Sequence, residues 1–173
     1  MNLLAQLRTI RIFAFDMDGV LTDGGLWLHA DGEWIRRMHI KDGYALQLAV
    51  RKGYWVCVIS GSHSLPVASS LQKLGLTDIF MGVSDKKECL EAFARSKDIE
   101  MSKVLYMGDD IPDMEVMKAA GISCCPSDAA IELREFATYL SPIRGGEGCV
   151  RDVIEKVLKL NGHWDASVGI RSI

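Results

Sequence analysis

The chain has 173 residues, of which 49% are hydrophobic, and its 20 basic and 23 acidic side chains give a net charge of −3. This composition is typical of a soluble globular domain and excludes disordered and fibrous proteins. The slight negative charge argues against nucleic acid as a partner. The apolar runs are too short to cross a membrane and no leader-like segment opens the sequence, so we expect a cytoplasmic protein without a membrane partner.

Apolar strand-like runs alternate with helical patterns along the chain. The predicted strands are Ile10–Phe15, Tyr54–Ile59, Asp78–Met81, Val104–Met107 and Ile122–Cys125. The predicted helices are Gly43–Lys52, Leu65–Leu74, Lys86–Lys97, Met114–Ala120, Ala129–Phe136 and Val150–Leu160. Strands that are apolar throughout and alternate with helices predict a mostly parallel sheet with helices on both faces. The expected fold is therefore a three-layered, Rossmann-like α/β fold.

One segment breaks this alternation. Residues 25–39 have the pattern of an inserted β-hairpin with the turn dipeptide Asp31-Gly32 at its tip. Trp27 and Trp34 are too apolar for a solvated flap, and the sequence is equally compatible with packing on their own domain or on another subunit. We expect a single domain over residues 1–160, without a cap domain, followed by a C-terminal tail over residues 161–173.

Two acidic residues follow the first predicted strand. Asp16 and Asp18 lie two residues apart in extended chain, so both side chains can point toward one small site. Carboxylates so close together need a cation between them or a proton on one of them. The pair suits phosphoryl transfer in which Asp16 attacks phosphorus, while Asp18 protonates the leaving alcohol and later deprotonates a water molecule.

Further candidate residues follow the other strands. Asp109 is well placed to bind a hard cation such as Mg²⁺, whereas Asp113 is equally compatible with a metal ligand and with an N-cap of the next helix. Ser60 and the Gly61 amide can hydrogen-bond a phosphoryl oxygen, and Lys86 can neutralise phosphoryl charge. Taken singly, such residues are more typical of turns and solvated surface charges.

The order of these residues resembles the haloacid dehalogenase superfamily of phosphohydrolases. Its four motifs correspond here to Asp16–Thr22, Ile59–Gly61, Asp85-Lys86 and Gly108–Asp113. The resemblance implies that Asp16 is the nucleophile, Asp18 the general acid/base, and Ser60 and Lys86 the groups that hold the phosphoryl group. It also implies that Asp16, the backbone carbonyl of Asp18, and Asp109 bind Mg²⁺.

The chain is similar, more narrowly, to small capless phosphatases that act on 3-deoxy-D-manno-octulosonate 8-phosphate. The shared features are Gly24-Gly25 before the hairpin, Lys41-Asp42-Gly43, and a glycine-rich stretch over residues 145–151. This resemblance implies a homotetramer sealed by the hairpins and hydrolysis of that sugar phosphate in lipopolysaccharide precursor synthesis. Gly61, Arg144 and Arg151 are then the candidates for substrate binding.

Two departures from the family pattern leave other functions open. Ser62 and Glu147 stand where these phosphatases often have basic residues, and an acid suits sugar hydroxyls better than a carboxylate. A phosphatase of a nine-carbon 2-keto-3-deoxy sugar acid 9-phosphate is therefore an alternative. A phospho-receiver module or a non-catalytic oligomerisation domain is another, although Asp18 argues against the first and the complete motif set against the second.

Overall fold

The structure is a computed structural model that describes residues 2–165 and residue 169 of the chain. Its strands are β1 (Ile12–Phe15), β2 (Trp27–Leu28), β3 (Trp34–Ile35), β4 (Trp55–Ile59), β5 (Asp78–Phe80), β6 (Val104–Met107), β7 (Ile122–Cys125) and β8 (Tyr139–Leu140). Its helices are α1 (Leu3–Thr9), α2 (Ile40–Arg51), α3 (Leu65–Lys73), α4 (Lys86–Ser96), α5 (Met114–Ala119), α6 (Ile131–Phe136) and α7 (Cys149–Leu160).

Six of these strands form one sheet in the order β5-β4-β1-β6-β7-β8, and every neighbouring pair in it is parallel. The antiparallel strands β2 and β3 form a separate hairpin between β1 and α2. The predicted α/β fold is therefore confirmed, with an inserted hairpin rather than a cap domain after β1.

Helices cover both faces of this sheet, which explains why its strands are apolar throughout. Phe13 and Phe15 of β1 point to the core shared with α1, α2, α3 and α7. Ile12 and Ala14 of the same strand point to the core shared with α4, α5 and α6. Successive side chains of a strand point to opposite faces, so both sets must be apolar to fill two cores.

After β1 the chain runs outward through β4 to β5, and α4 then returns it to β6 on the other side of β1. The connections therefore change direction beside β1. Ligands of open parallel sheets bind at such a switch point, outside the carboxyl ends of the strands. Asp16 follows β1 directly, Ser60 follows β4, and Asp109 lies two residues after β6. The topology thus brings the predicted site residues to one edge of the sheet.

Two short elements and one helix start were not predicted from the sequence. Helix α1 begins after Asn2, whose side chain accepts a hydrogen bond from the Ala5 amide at 2.8 Å. Strand β8 has only two residues, too few for a recognisable pattern. Helix α2 begins at Ile40, three residues earlier than predicted, because polar residues in its first turn hide the periodicity there.

The hairpin has its predicted turn but not a buried apolar face. Gly32 adopts a φ of +90° and donates its N–H to the His29 carbonyl at 3.0 Å. Trp27 and Trp34 are 73% and 53% exposed in the single chain. Of the two packing alternatives for the tryptophans, burial on their own domain is therefore not found.

The described part of the predicted tail packs on the domain. His163 shares a hydrogen bond of 2.9 Å with the Tyr54 hydroxyl, and Trp164 packs edge-on against Tyr44. Residues 166–168 and 170–173 of the tail lie outside the described residues. Among the helices that the structure describes, none combines the length and the apolar character needed to cross a bilayer.

A side chain of α2 caps the N-terminus of α7. The residue that precedes α7 is Gly148, which has no side chain to offer. The buried carboxylate of Asp42 instead accepts the Arg151 N–H at 2.6 Å, and so satisfies one of the free amides at the helix start. Burial raises the pKa of Asp42 to about 7, although the Arg151 amide and side chain act to lower it.

The raised pKa of Asp42 makes folding stability depend on pH. The folded protein keeps this proton to a higher pH than the unfolded chain, so the contribution of Asp42 to the free energy of unfolding falls as pH rises from about 4 to about 7. We expect Asp42→Asn, which keeps an oxygen acceptor, to lose this part of the dependence in urea unfolding at several pH values. The exposed control Glu135→Gln should retain it, and an unchanged dependence in Asp42→Asn contradicts the prediction.

Candidate active site

The first acidic residue is held at the end of β1 by its own loop. Oδ1 of Asp16 accepts the Met17 N–H at 2.7 Å, and residues Met17–Leu21 then form a π turn, closed by the Thr22 N–H donating to the Met17 carbonyl at 3.0 Å, in which Asp18 and Gly19 are non-helical. Gly19 in this turn has a φ of +85°, and a Cβ there would overlap the Asp109 carboxylate. Only glycine allows this close approach, which brings the loop after β1 against the residues after β6.

Lys86 links two buried carboxylates. Its Nζ lies 3.0 Å from Oδ1 of Asp16 and 2.7 Å from Oδ1 of Asp113. The lysine begins α4, where the preceding Asp85 caps the helix by accepting the Glu88 N–H at 2.9 Å. Lys86, rather than the neighbouring Lys87, is thus the lysine that the fold brings to the acidic residues.

Asp113 is a buried member of the site and not a helix cap. Its Oδ1 accepts the Tyr106 hydroxyl at 2.7 Å in addition to Lys86, and its Oδ2 accepts the Asp109 N–H at 3.1 Å. No side-chain capping bond from Asp113 to α5 is found in the described structure, so the N-cap alternative is wrong. Tyr106 was not foreseen, because a tyrosine inside an apolar strand gives no sign of its partner.

The site carries more negative than positive charge. Carboxylate oxygens of Asp16, Asp109 and Asp113 all lie within 4.8 Å of one another, and Lys86 balances one of the three charges. Burial and then the neighbouring carboxylates raise the pKa of Asp16 to about 7 and of Asp109 to about 8. The pKa of Lys86 is also raised, because the two carboxylates outweigh the effect of burial.

The donor set fits a hard divalent cation. The surplus of two negative charges matches Mg²⁺, which prefers carboxylate and carbonyl oxygens. Both oxygens of Asp113 already accept hydrogen bonds, whereas the contacts of Asp16 with Met17 and Lys86 both fall on Oδ1 and leave Oδ2 available. Asp16 and Asp109 are therefore the carboxylates best able to bind the cation, with Asp113 orienting its neighbours.

Asp18 is not a member of this acidic cluster in the described structure, and its carboxylate pairs with a residue of the hairpin. Its Oδ1 accepts the Arg36 Nε–H at 2.7 Å and its Oδ2 accepts Nη2–H at 3.1 Å. The Thr22 hydroxyl donates to Oδ1 at 3.3 Å. The two carboxylates of the paired Asp motif therefore have different surroundings. Asp16 lies in the candidate cation site, and Asp18 forms an ion pair that was not predicted from the sequence.

Ser60 and Gly61 lie where the chain leaves β4. The buried Ser60 Oγ accepts the Ser62 N–H at 3.1 Å, and the Ser60 amide donates to the Phe80 carbonyl of β5 at 2.9 Å. These bonds fix the turn at the same edge of the sheet as Asp16. The roles of Ser60 and Gly61 toward a phosphoryl group remain predictions.

The glycine-rich stretch packs against the loop after β1. The Gly146 N–H donates to the Val20 carbonyl at 2.9 Å, and a Cβ on Gly145 would overlap the Gly19 carbonyl oxygen. The carboxylate of Glu147 pairs with Arg37 of the hairpin. Glu147 therefore binds a neighbouring side chain in this structure, and not only solvent.

The two arginines expected to bind substrate have other contacts in the single chain. Arg144 is 73% exposed and lies 3.4 Å from the Asp128 carboxylate. Arg151 pairs with Glu155 at 2.9 Å and packs on the Trp164 ring. The described structure does not bring either arginine into the acidic cluster, so their substrate contacts remain predictions.

A large cavity lies between the hairpin and the start of α3. It has a volume of about 950 Å³, and its walls include Trp34, Arg36, Met38, His63 and Ser64. Arg36 belongs both to this wall and to the ion pair with Asp18, and so links the cavity to the second carboxylate of the paired motif. Its size is that of a site for a small molecule.

Comparisons with known proteins give one consistent result. Residues 72–150 match the family model of haloacid dehalogenase-like hydrolases. The chain is 32% identical over 168 residues to the 3-deoxy-D-manno-octulosonate 8-phosphate phosphatase of Escherichia coli (strain K12), an alignment that covers 97% of this chain and 89% of that protein.

Solved structures agree in fold over nearly the whole chain. The phosphatase of the same name from Yersinia pestis has a TM-score of 0.93 at 28% identity and covers 96% of this chain and 90% of its own. The phosphatase from Moraxella catarrhalis, solved with a magnesium ion, a phosphate ion and KDO, has a TM-score of 0.90 at 31% identity and covers 94% of both chains.

Protons and Mg²⁺ should compete for the acidic cluster. In the cation-free protein, the contribution of Asp16 and Asp109 to the free energy of unfolding falls as pH rises from about 4 to about 8, because the folded state holds their protons longer. We therefore expect MgCl₂ to raise the Tm more at about pH 8 than at about pH 5.5 in scanning fluorimetry. Asp109→Asn should lose most of this increase, while the exposed control Glu135→Gln keeps it. An increase that is equal at both pH values contradicts the prediction.

Proposed function

Because this chain belongs to the haloacid dehalogenase-like hydrolases that include the 3-deoxy-D-manno-octulosonate 8-phosphate phosphatases, we propose that it hydrolyses this sugar phosphate to the free sugar acid and phosphate. It is a phosphoric monoester hydrolase that uses Mg²⁺. The proposed reaction belongs to lipopolysaccharide precursor synthesis. The observation that carries the proposal is Asp16, held by Lys86 at the switch point of the sheet beside Asp109 and Asp113.

In the proposed mechanism, Asp16 is the nucleophile. Its carboxylate attacks phosphorus, the bond from phosphorus to the sugar oxygen breaks, and Asp18 gives a proton to that oxygen. Asp18 then takes a proton from the water molecule that attacks the aspartyl-phosphate, and phosphate leaves. The same carboxyl group serves both half-reactions. It loses its proton in the first step and is therefore able to accept the proton of the water molecule in the second.

Other residues orient the phosphoryl group in this proposal. Lys86, already 3.0 Å from Asp16, binds a phosphoryl oxygen, and the Ser60 hydroxyl and the Gly61 amide donate hydrogen bonds to others. The proposed ligands of Mg²⁺ are Asp16, the Asp18 carbonyl and Asp109. When bound, Mg²⁺ supplies positive charge that stabilises the negative charge of the transition state.

The cavity of about 950 Å³ offers room for the sugar. We propose that Arg144 and Arg151 contact the sugar acid from the glycine-rich side. The relatives named for the eight-carbon 8-phosphate support the eight-carbon acid over its nine-carbon alternative, on which the proposed mechanism would otherwise work equally well.

A panel of sugar phosphates tests the activity and the substrate together. We expect phosphate release to be fastest from 3-deoxy-D-manno-octulosonate 8-phosphate, and to be lost in excess EDTA. Asp16→Asn, which removes the nucleophile, should lower kcat by a factor of at least about 10³, whereas the exposed Glu135→Gln should match the wild-type chain. Preference for the nine-carbon 9-phosphate overturns the substrate assignment, and unchanged turnover in Asp16→Asn overturns the mechanism.

We also propose that the chain is a cytoplasmic homotetramer whose hairpins pack together. Four large apolar side chains at the hairpin, Trp27, Leu28, Trp34 and Ile35, are each more than half exposed in the single chain. An exposed apolar patch of this kind is typical of an interface. Packing several hairpins together would also cover the site, which has no cap domain of its own. The net charge of −3 supports the absence of nucleic acid among its partners.

Light scattering after gel filtration tests the assembly. We expect the mass of four chains of 19.1 kDa for the wild-type protein. The double variant Trp27→Ser and Trp34→Ser should shift to smaller species, because it removes the largest apolar groups of the hairpin. The control Ile131→Ser changes an exposed apolar residue of α6 and should leave the mass unchanged. A monomeric wild-type protein contradicts the proposal.

A further inference from the structure

We infer that Arg36, on the second arm of the hairpin, is a positioning residue that holds the Asp18 carboxyl group, which carries the transferable proton before the first step, in the direction required for proton transfer to the leaving oxygen. This inference rests on the proposed function, in which Asp18 is the general acid/base. Arg36 acts through Asp18 and need not touch the substrate.

The ion pair has the geometry of a rigid, two-point contact. Nε and Nη2 of Arg36 meet the two oxygens of Asp18 at 2.7 and 3.1 Å. Only 3% of the Arg36 side chain is exposed, so water does not compete strongly for the guanidinium. A planar fork that contacts both carboxylate oxygens fixes the plane of the carboxyl group as well as its position.

Asp18 has little other support. Its backbone is non-helical within the π turn, and the next residue is the left-handed Gly19. Among the described residues, the other side chain that bonds to its carboxylate is Thr22, at the long distance of 3.3 Å. Without Arg36, the carboxyl group would be free to change rotamer, and proton transfer depends steeply on distance and direction.

The neighbouring Arg37 makes different contacts. A comparison of the two arginines can therefore distinguish the positioning of Asp18 from the attachment of the hairpin. It pairs with Asp23 at 3.0 Å and with Glu147, and 52% of its side chain is exposed. Successive residues of extended chain point to different sides, and the two arginines accordingly pair with different carboxylates. Both arginines tie the hairpin to the domain, but only Arg36 contacts Asp18.

Arg36 also lies in the wall of the large cavity. The leaving group of the proposed substrate would occupy that space, and its oxygen needs the proton from Asp18 as the bond to phosphorus breaks. In this inference, Arg36 joins the cavity wall to the carboxyl group, so that one group can serve both the departing alcohol and the attacking water.

Leaving groups of different basicity provide the test. A sugar alkoxide is a poor leaving group and needs the proton, whereas p-nitrophenolate leaves without one. The value of kcat/KM reports on the step in which the leaving group departs. A misplaced Asp18 should therefore lower kcat/KM for the sugar phosphate while sparing p-nitrophenyl phosphate.

The experiment compares four variants on these two substrates, with Mg²⁺ present. For the sugar phosphate, Asp18→Asn should lower kcat/KM by about 10²–10⁴-fold and Arg36→Met by about 10²-fold. Arg36→Lys, which keeps the charge but not the fork, should lie between Arg36→Met and wild type. For p-nitrophenyl phosphate, the Arg36 variants should stay within about 3-fold of wild type. Arg37→Met should change both substrates by a common factor, because it affects only the attachment of the hairpin.

The outcomes separate this inference from the function on which it rests. Equal losses on both substrates in Arg36→Met, or a pattern identical to that of Arg37→Met, would show that Arg36 only anchors the hairpin and would overturn the inference. If Arg36→Met fails to fold, as judged by circular dichroism, Arg36→Lys decides by the same ratio of the two losses. A wild-type protein that releases phosphate from neither ester overturns the proposed function and the inference with it.

Discussion

The structure of the site depends on one electrostatic constraint, the placement of two buried carboxylates and one partly buried carboxylate beside a single ammonium group. Asp16, Asp109 and Asp113 approach within 4.8 Å, and Lys86 neutralises only one of them. Such a cluster is stable only if it binds protons or a cation, which is why the pKa values of Asp16 and Asp109 are raised. The same imbalance makes the cluster suited to Mg²⁺ and, with Mg²⁺ bound, to an anionic phosphoryl group.

The surrounding chain is built to bring this cluster together and to cover it. Glycines at positions 19 and 145 remove side chains where the loop after β1 meets Asp109 and the glycine-rich stretch. Arg36 and Arg37 of the hairpin form ion pairs with acidic residues of the loop after β1. An enzyme with a cap domain can cover its site by closing the cap, whereas this chain has a short hairpin whose apolar side chains remain exposed. We expect neighbouring subunits to complete that cover.

Most of the fold and the catalytic candidates could be predicted because they depend on local patterns. Strands with two buried faces are apolar throughout, and the residues that end them must meet at one edge of a parallel sheet. That reasoning singled out Asp16 and Asp109 as candidates, whereas Lys86, which begins a helix, was raised above a surface charge by the order of the family motifs. It left Asp113 undecided, because a residue at the start of a helix has the same local pattern whether it caps the helix or faces the site.

The sequence by itself thus determined the α/β fold, the order of its motifs and the residue types that phosphoryl transfer needs. Only the tertiary structure decided that Asp113 binds Lys86 and Tyr106, that Asp18 turns to Arg36, and that the hairpin tryptophans stay exposed. The physical reason is that these contacts join residues on different elements. Their partners are selected by packing and by the balance of buried charge, neither of which leaves a periodic trace in the sequence.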